Sequence, residues 1–141
     1  MISRFNLRAY FMPLNKIYLV FNLLVNGDAI IVTDEEGNFI DRLDKPDDRF
    51  FKDEFILLQS TGLVDKNGKE IFEGDIVIDV NDKTKYKVFY REIGACFSLE
   101  FLDTEDFDCR DFGEIQYEGI EQNLKVIGNI YENPELLIKK E

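Results

Sequence analysis

Apolar and polar residues alternate along most of this chain with a period of two, the spacing of strands that bury one face. No stripe with helical spacing runs through residues 1–131. In residues 3–10, Phe5, Leu7 and Ala9 fall on one face and Arg4, Asn6 and Arg8 on the other, and Pro13 ends the strand. Residues 17–25 are rich in β-branched and aromatic side chains, and Asn26-Gly27 reads as a turn into a buried strand around Ala29-Ile30-Ile31-Val32. Asp34-Glu35-Glu36-Gly37-Asn38 reads as a hairpin tip leading to Phe39, Ile40 and Leu43, so this half predicts a meander. Residues 44–53 combine a proline and many charges with adjacent Phe50 and Phe51. They predict a linker or single helical turn, pinned by the two phenylalanines, at a subdomain boundary.

The second half is organised around residues 58–80. Asn67-Gly68 is the strongest hairpin signal in the chain and predicts a two-residue type I′ turn, which needs φ > 0 at both positions. Gly74-Asp75 predicts a bulge or sharp bend in which the Asp75 carboxylate bonds a nearby amide, followed by a strand carrying Ile76, Ile78 and Val80. Two more alternating runs follow, Tyr86, Val88 and Tyr90, then Ala95, Phe97, Leu99 and Phe101, separated by a turn at Glu92-Ile93-Gly94. After a long excursion, residues 124–131 give a last strand, with Gly128 where a bend or close approach is needed. Asn133-Pro134 predicts an N-cap and first turn, so residues 135–140 should form a short helix. The expected fold is all-β. An N-terminal β-meander subdomain (1–54) is joined to an SH3-like small barrel subdomain (55–141) that ends in the short C-terminal helix.

Several of these residues carry a resemblance. Thr61-Gly62-Leu63, Asp65-Lys66-Asn67-Gly68-Lys69-Glu70-Ile71 and Glu73-Gly74-Asp75-Ile76-Val77 closely resemble the signature of the YopX-like proteins of bacteriophages and prophages. The run from Val126-Ile127-Gly128-Asn129-Ile130-Tyr131 through Glu132-Asn133-Pro134-Glu135-Leu136-Leu137 is similar to that family's C-terminal signature. Phe5-Asn6-Leu7-Arg8-Ala9-Tyr10 is similar to its start, although this chain has no Trp and carries Met12-Pro13-Leu14 where the family tends to be polar. The resemblance implies an all-β phage accessory protein of no established activity, and it supplies no catalytic residues.

Composition narrows the function classes. At 141 residues and 45% hydrophobic content the chain can bury a core. A formal charge of −12 disfavours binding to a phosphate backbone, whose affinity comes from Lys and Arg displacing counterions, so no direct nucleic-acid partner is expected. With no histidine, the commonest metal ligand and general base is missing. Cys96 and Cys109 lack zinc or CxxC spacing and are too few for a disulfide framework. The apolar run 17–25 is too short to span a bilayer, is interrupted by Asn22 and lacks a small-residue cleavage site. No membrane partner and a cytoplasmic location in a bacterial host are therefore expected.

The charge is regional. Residues 101–121 hold eight carboxylates against Arg110 alone. Within them, Asp103, Glu105, Asp106, Phe107, Asp108, Asp111, Phe112, Glu114, Tyr117 and Glu118 form the candidate interaction surface, aromatic anchors in a negative field that suits a basic host or phage protein. The plainer reading turns Phe107, Phe112 and Tyr117 into the core and leaves the acids solvated. The spacing does not fit an EF-hand, because the loop's fifth and sixth positions counted from Asp103 are Phe107 and Asp108. The same acids also allow an acidic DNA mimic that inhibits a host nucleic-acid enzyme, or a carboxylate-based hydrolase. Ser60 and Thr61 have no histidine to activate them, and no glycine run cradles a nucleotide, so no catalytic residue and no cofactor are expected. Long apolar strands near the N-terminus predict a homo-oligomer built through sheet edges.

Overall fold

The structure is a computed structural model and describes residues 6–24, 29–40, 50–51, 53–104, 108–114 and 120–137. Its regular elements are antiparallel strands with short 3-10 turns and a brief helical stretch at residues 112–114, so the fold is all-β as the period-two pattern predicts. Among the described residues no helix is long and apolar enough to cross a membrane. The chain divides into two units, Phe5–Gln59 and one containing Ser60–Glu141. The division falls inside a strand, β5, a few residues past the start expected for the second subdomain.

The N-terminal unit orders its strands β4-β3-β2-β1-β5, from β1 (Leu7–Phe11), β2 (Lys16–Leu24), β3 (Ala29–Thr33), β4 (Phe50–Phe51) and the first half of β5 (Phe55–Val64). Alternation places Ala9, Phe11, Ile30, Val32 and Phe55 in its core, with Tyr18, Val20, Ile40 and Leu57 packed against them. Burial raises the Tyr18 hydroxyl above its ordinary value of 10.0. Phe50 and Phe51 pair with β3 as a short strand, where a linker or helical turn was expected. The reason is that extended aromatic residues can satisfy their backbone against the free side of Ala29 and Ile30. The Asn26-Gly27 turn, Leu43, and residues 44–49 and 52 of the linker lie outside the described residues.

The tip at Asp34 is fixed by its own side chain. Asp34 Oδ1 accepts the Glu36 and Asn38 N–H groups, both at 2.9 Å, while Gly37 takes φ +86° and donates to the Asp34 carbonyl. The Asn38 amide bond, with those from Asn38 Nδ2 and Glu36, holds the Asp34 carboxyl below the ordinary 3.8. A depressed folded value means that the carboxylate supports the turn above the ordinary value and that this support is lost as pH falls through the folded one. In an acid titration followed by NMR, the Glu36 and Asn38 amide shifts should therefore move together with a midpoint below 3.8. A midpoint above that value would contradict the bonding.

In the C-terminal unit, the second half of β5 pairs with β6 (Glu70–Phe72). A five-stranded sheet is ordered β10-β9-β8-β7-β11, from β7 (Asp75–Asp79), β8 (Lys85–Arg91), β9 (Cys96–Phe101), β10 (Cys109–Asp111) and β11 (Leu124–Asn129). Its core is Ile71, Val77, Tyr86, Val88, Leu99, Phe112, Leu124 and Val126.

The turn between β5 and β6 is not type I′. Gly68 has φ +81°, but Asn67 does not have positive φ. The Asp65 N–H donates to the Lys69 carbonyl (2.8 Å) and the Gly68 N–H to the Asp65 carbonyl (3.0 Å), a three-residue loop with glycine in the left-handed position. The physical reason is Asp65, whose Oδ1 accepts the Asn67 and Lys69 amides at 2.8 and 2.9 Å and so selects the Asx-type turn. The geometry repeats that of Asp34, which stands at the same distance before its glycine.

Asp65 does more than shape its turn. It is buried, and its Oδ2 accepts the Val126 N–H at 2.9 Å, while the neighbouring Lys66 N–H donates to the Leu124 carbonyl at 2.8 Å. The outer side of β11 is thus met by a turn. Strand pairing alone leaves β10 and β11 as the ends of the sheet and does not by itself amount to an SH3-like barrel.

Two glycines are used as expected. Gly74 has φ +88°, donates to Val88 and accepts from Ile130, and the buried Asp75 carboxylate accepts the Phe72 N–H at 2.8 Å. Gly128 sits at a register shift in β11 beneath Asn133 and Leu136. The C-terminal helix is a 3-10 turn over Pro134–Leu137. Asn133 does not serve as its side-chain cap. Its Oδ1 turns back to accept the Asn129 N–H at 3.1 Å, a donor directed away from β7, since the next residue, Ile130, is the one that donates to Gly74.

Candidate interaction surface

Strand register decides which side chains of the acidic segment can meet a partner. β10 pairs with β9 as Cys109↔Glu100, Arg110↔Leu99 and Asp111↔Ser98, and the Phe101 N–H donates to the Asp108 carbonyl. Paired residues share a face, so Asp108, Arg110 and Phe112 share the face of Leu99 and Phe101, and Cys109 and Asp111 share the opposite one with Ser98 and Glu100. The carboxylates therefore do not form one face. They line up along an edge.

On the face with Ser98, Lys87 lies 3.5 Å from Glu100, and Arg91 Nη1 lies 3.7 Å from Asp111 Oδ1. The Ser98 hydroxyl is fully buried and donates to the same Asp111 oxygen at 3.0 Å, with Cys96 Sγ 3.8 Å from Ser98 Oγ. On the other face Arg110 reaches Glu114 at 3.3 Å and also bonds the Tyr86 side chain. Burial raises the Tyr86 hydroxyl above its ordinary value, with the Asp82 charge adding to the shift and Arg110 opposing it. Two of the segment's acids are thus matched by arginines, one of them from β8.

Asp103 and Asp108 have no such cation among the described residues. Both are exposed: Asp103 accepts the Lys85 N–H at 3.3 Å, and Asp108 Oδ1 accepts the N–H of the next residue, Cys109, at 2.9 Å. Glu114 is exposed and Asp111 half-buried, while Phe112 lies in the core, where it cannot anchor a partner. Glu105, Asp106, Phe107, Tyr117 and Glu118 lie outside the described residues. The structure therefore brings Asp108, Asp111 and Glu114 to the region of one sheet edge, places Asp103 at the end of β9 against β8, and removes Phe112 from the surface.

Arg91 and Lys87 belong to this surface, with the buried Ser98 bonding Asp111 from beneath it, although the clustering of acids along the sequence does not mark them. The available signal was the β8–β9 pairing of alternating runs, which puts Arg91 opposite Cys96 and Phe89 opposite Ser98, but no local motif singles them out. Both cysteines are free, and Cys109 pairs with Glu100, four residues along β9 from Cys96. No group of three or more His, Cys, Asp or Glu stands ready to hold a metal ion among the described residues.

The family model described as "YopX protein" matches residues 8–138 of the chain. The crystal structure of protein EF1440 from Enterococcus faecalis is similar at 30% identity and a TM-score of 0.60, covering 94% of this chain and 97% of that one. No curated protein matches the chain.

Proposed function

This chain belongs to the YopX protein family, and from that premise we propose that it is a non-enzymatic, phage- or prophage-encoded accessory protein that works in the bacterial cytoplasm by binding a basic protein. The observation that supports this reading is the acidic sheet edge at β10, where Asp108 is exposed without a cation partner among the described residues, with a second such carboxylate, Asp103, at the end of β9 against β8. The buried carboxylates are otherwise engaged. Asp65, Asp75 and Asp79, the buried carboxylates among the described residues, each accept backbone amides of their own turns, a structural use. A DNA-mimicking role is less favoured, because Arg91 and Arg110 break the run of negative charge.

The test is recovery from host-cell lysate by the tagged wild type and by Asp103→Lys/Asp108→Lys. Wild type should retain one basic protein after nuclease treatment and release it at high salt, where exposed charge pairs are screened. The doubly reversed variant should retain none. Equal recovery by both forms rejects the acidic edge as the contact.

Self-association forms the second part of this proposal and is assigned to the N-terminal unit, which exposes Met12, Leu14, Phe21, Phe39 and Ile56, with the Phe21 and Phe39 rings in edge contact at 5.0 Å. Light scattering at micromolar concentration should give at least a dimer. A monomer would remove this part and leave the acidic-edge proposal standing.

A further inference from the structure

The β10 edge carries a built-in selector for what can pair with it. In an antiparallel ladder successive residues direct their N–H and C=O groups alternately to one neighbour and the other. Asp108 faces β9, since its carbonyl accepts the Phe101 N–H. The backbone groups of Cys109 and Asp111 are therefore directed outward, where no strand flanks β10 among the described residues. The outward Cys109 N–H is held by the Asp108 carboxylate at 2.9 Å. An incoming strand must take that amide, and doing so costs the exposed carboxylate its bond to the protein unless the strand brings it a new, charged partner.

We infer that β10 accepts an extended segment of a partner protein as an added strand, and that the segment must carry a lysine or arginine beside Asp108. The partner's carbonyl takes the Cys109 amide while its cation takes the released carboxylate, a charge-assisted exchange. This rests on the acidic-edge reading above and specifies its partner. Charge also rules on the rival occupant: a second copy would bring its own Asp103 and Asp108 against these, in a chain of formal charge −12, and like charges across an edge repel. The edge is guarded against its own kind and against acidic strands, and favours a basic one.

Two synthetic peptides test this, one of alternating valine and lysine and one of alternating valine and glutamate, titrated into the full chain and read by amide chemical shifts. The lysine peptide should shift the Cys109 and Asp111 amides, and its affinity should fall as salt rises. Methylating its backbone nitrogens keeps the charge but removes the pairing groups, and should weaken binding about tenfold or more. The glutamate peptide should bind only to Asp108→Ala, in which the amide is no longer guarded. Equal binding of both peptides to wild type, or indifference to N-methylation, overturns the inference. So does a concentration-dependent shift of the Cys109 amide without peptide, which would make the occupant a second copy. A lysate partner lost on charge reversal, together with silent Cys109 and Asp111 amides, keeps the acidic-edge reading and removes strand addition alone.

Discussion

Asp65→Asn is expected to destabilise the protein by about 2–3 kcal/mol and to release the Val126 amide to solvent exchange. The carboxylate is buried and accepts three backbone amides, Asn67 and Lys69 on one oxygen and Val126 on the other. Asparagine can keep the first pair with its carbonyl oxygen, which preserves the turn. It then aims an NH2 group at the Val126 N–H, leaving two buried donors facing each other without an acceptor. Urea denaturation with an unchanged slope and a lower midpoint measures the loss. Asp34→Asn is the matched control, because it alters the same kind of turn on an exposed tip with no tie to a distant strand. Equal effects from both substitutions would show that turn formation carries the stability and that the bond to β11 adds nothing.

Gly128→Ala should cost about 2–3 kcal/mol, at the upper end of what overpacking produces. A Cβ at this position would stand 2.6 Å from Asn133 Oδ1, 2.9 Å from Asn133 Cγ and 2.9 Å from Leu136 Cδ1. Leu136 Cδ1 ends a flexible side chain and can give way, but Asn133 cannot simply swing aside. Asn133 Oδ1 is held by the Asn129 N–H, and Asn129 Oδ1 in turn accepts the Tyr131 and Glu132 amides at 3.0 and 2.8 Å. Moving Asn133 therefore disturbs the whole return from β11. Combining Gly128→Ala with Asn133→Ala should recover part of the loss, a coupling of about 1–2 kcal/mol in a double-mutant cycle. Strict additivity would mean that the strain is relieved by a shift of the backbone instead. Gly68→Ala is a different case, since nothing lies within 4 Å of its Cβ and only the positive φ is strained.

The strands were legible because one-sided burial leaves its period in the sequence. Val88, Leu99 and Val126 fall where alternation puts them, whereas β7 departs from the half-buried pattern: Ile76 and Val77 are both buried, and Ile78 and Val80 only partly so. The bend at Gly74-Asp75 and the close approach at Gly128 were legible from residue type, since each uses what only glycine offers at that place. The loop at Asn67-Gly68 departs from the dipeptide rule because that rule considers two residues, and the deciding group is the carboxylate two positions earlier. Asp34, Gly37 and Asp65, Gly68 share one spacing, which was the signal available.

The candidate surface was less legible than the fold. Clustered acids are visible in a sequence, but their neutralisation by Arg91 and the burial of Phe112 depend on cross-strand register, which links residues far apart in the chain. The same holds for the Cys109 amide. Which backbone groups point outward depends on where the ladder starts, and no local residue preference records it.

The bond from Asp65 to Val126 closes a loop of 61 residues. Its ends meet only after β7, β8 and β9 have collapsed the intervening chain, because closing so long a segment earlier costs entropy that nothing yet offsets. β11 therefore docks late in folding, and the hairpin at Asp65 waits for it as a preformed receptor. The energetic loss in Asp65→Asn accordingly falls mainly on the rate of unfolding and leaves the rate of folding nearly unchanged. A single buried carboxylate thus works as a latch on the lifetime of the folded C-terminal unit, set after the rest of its sheet is in place.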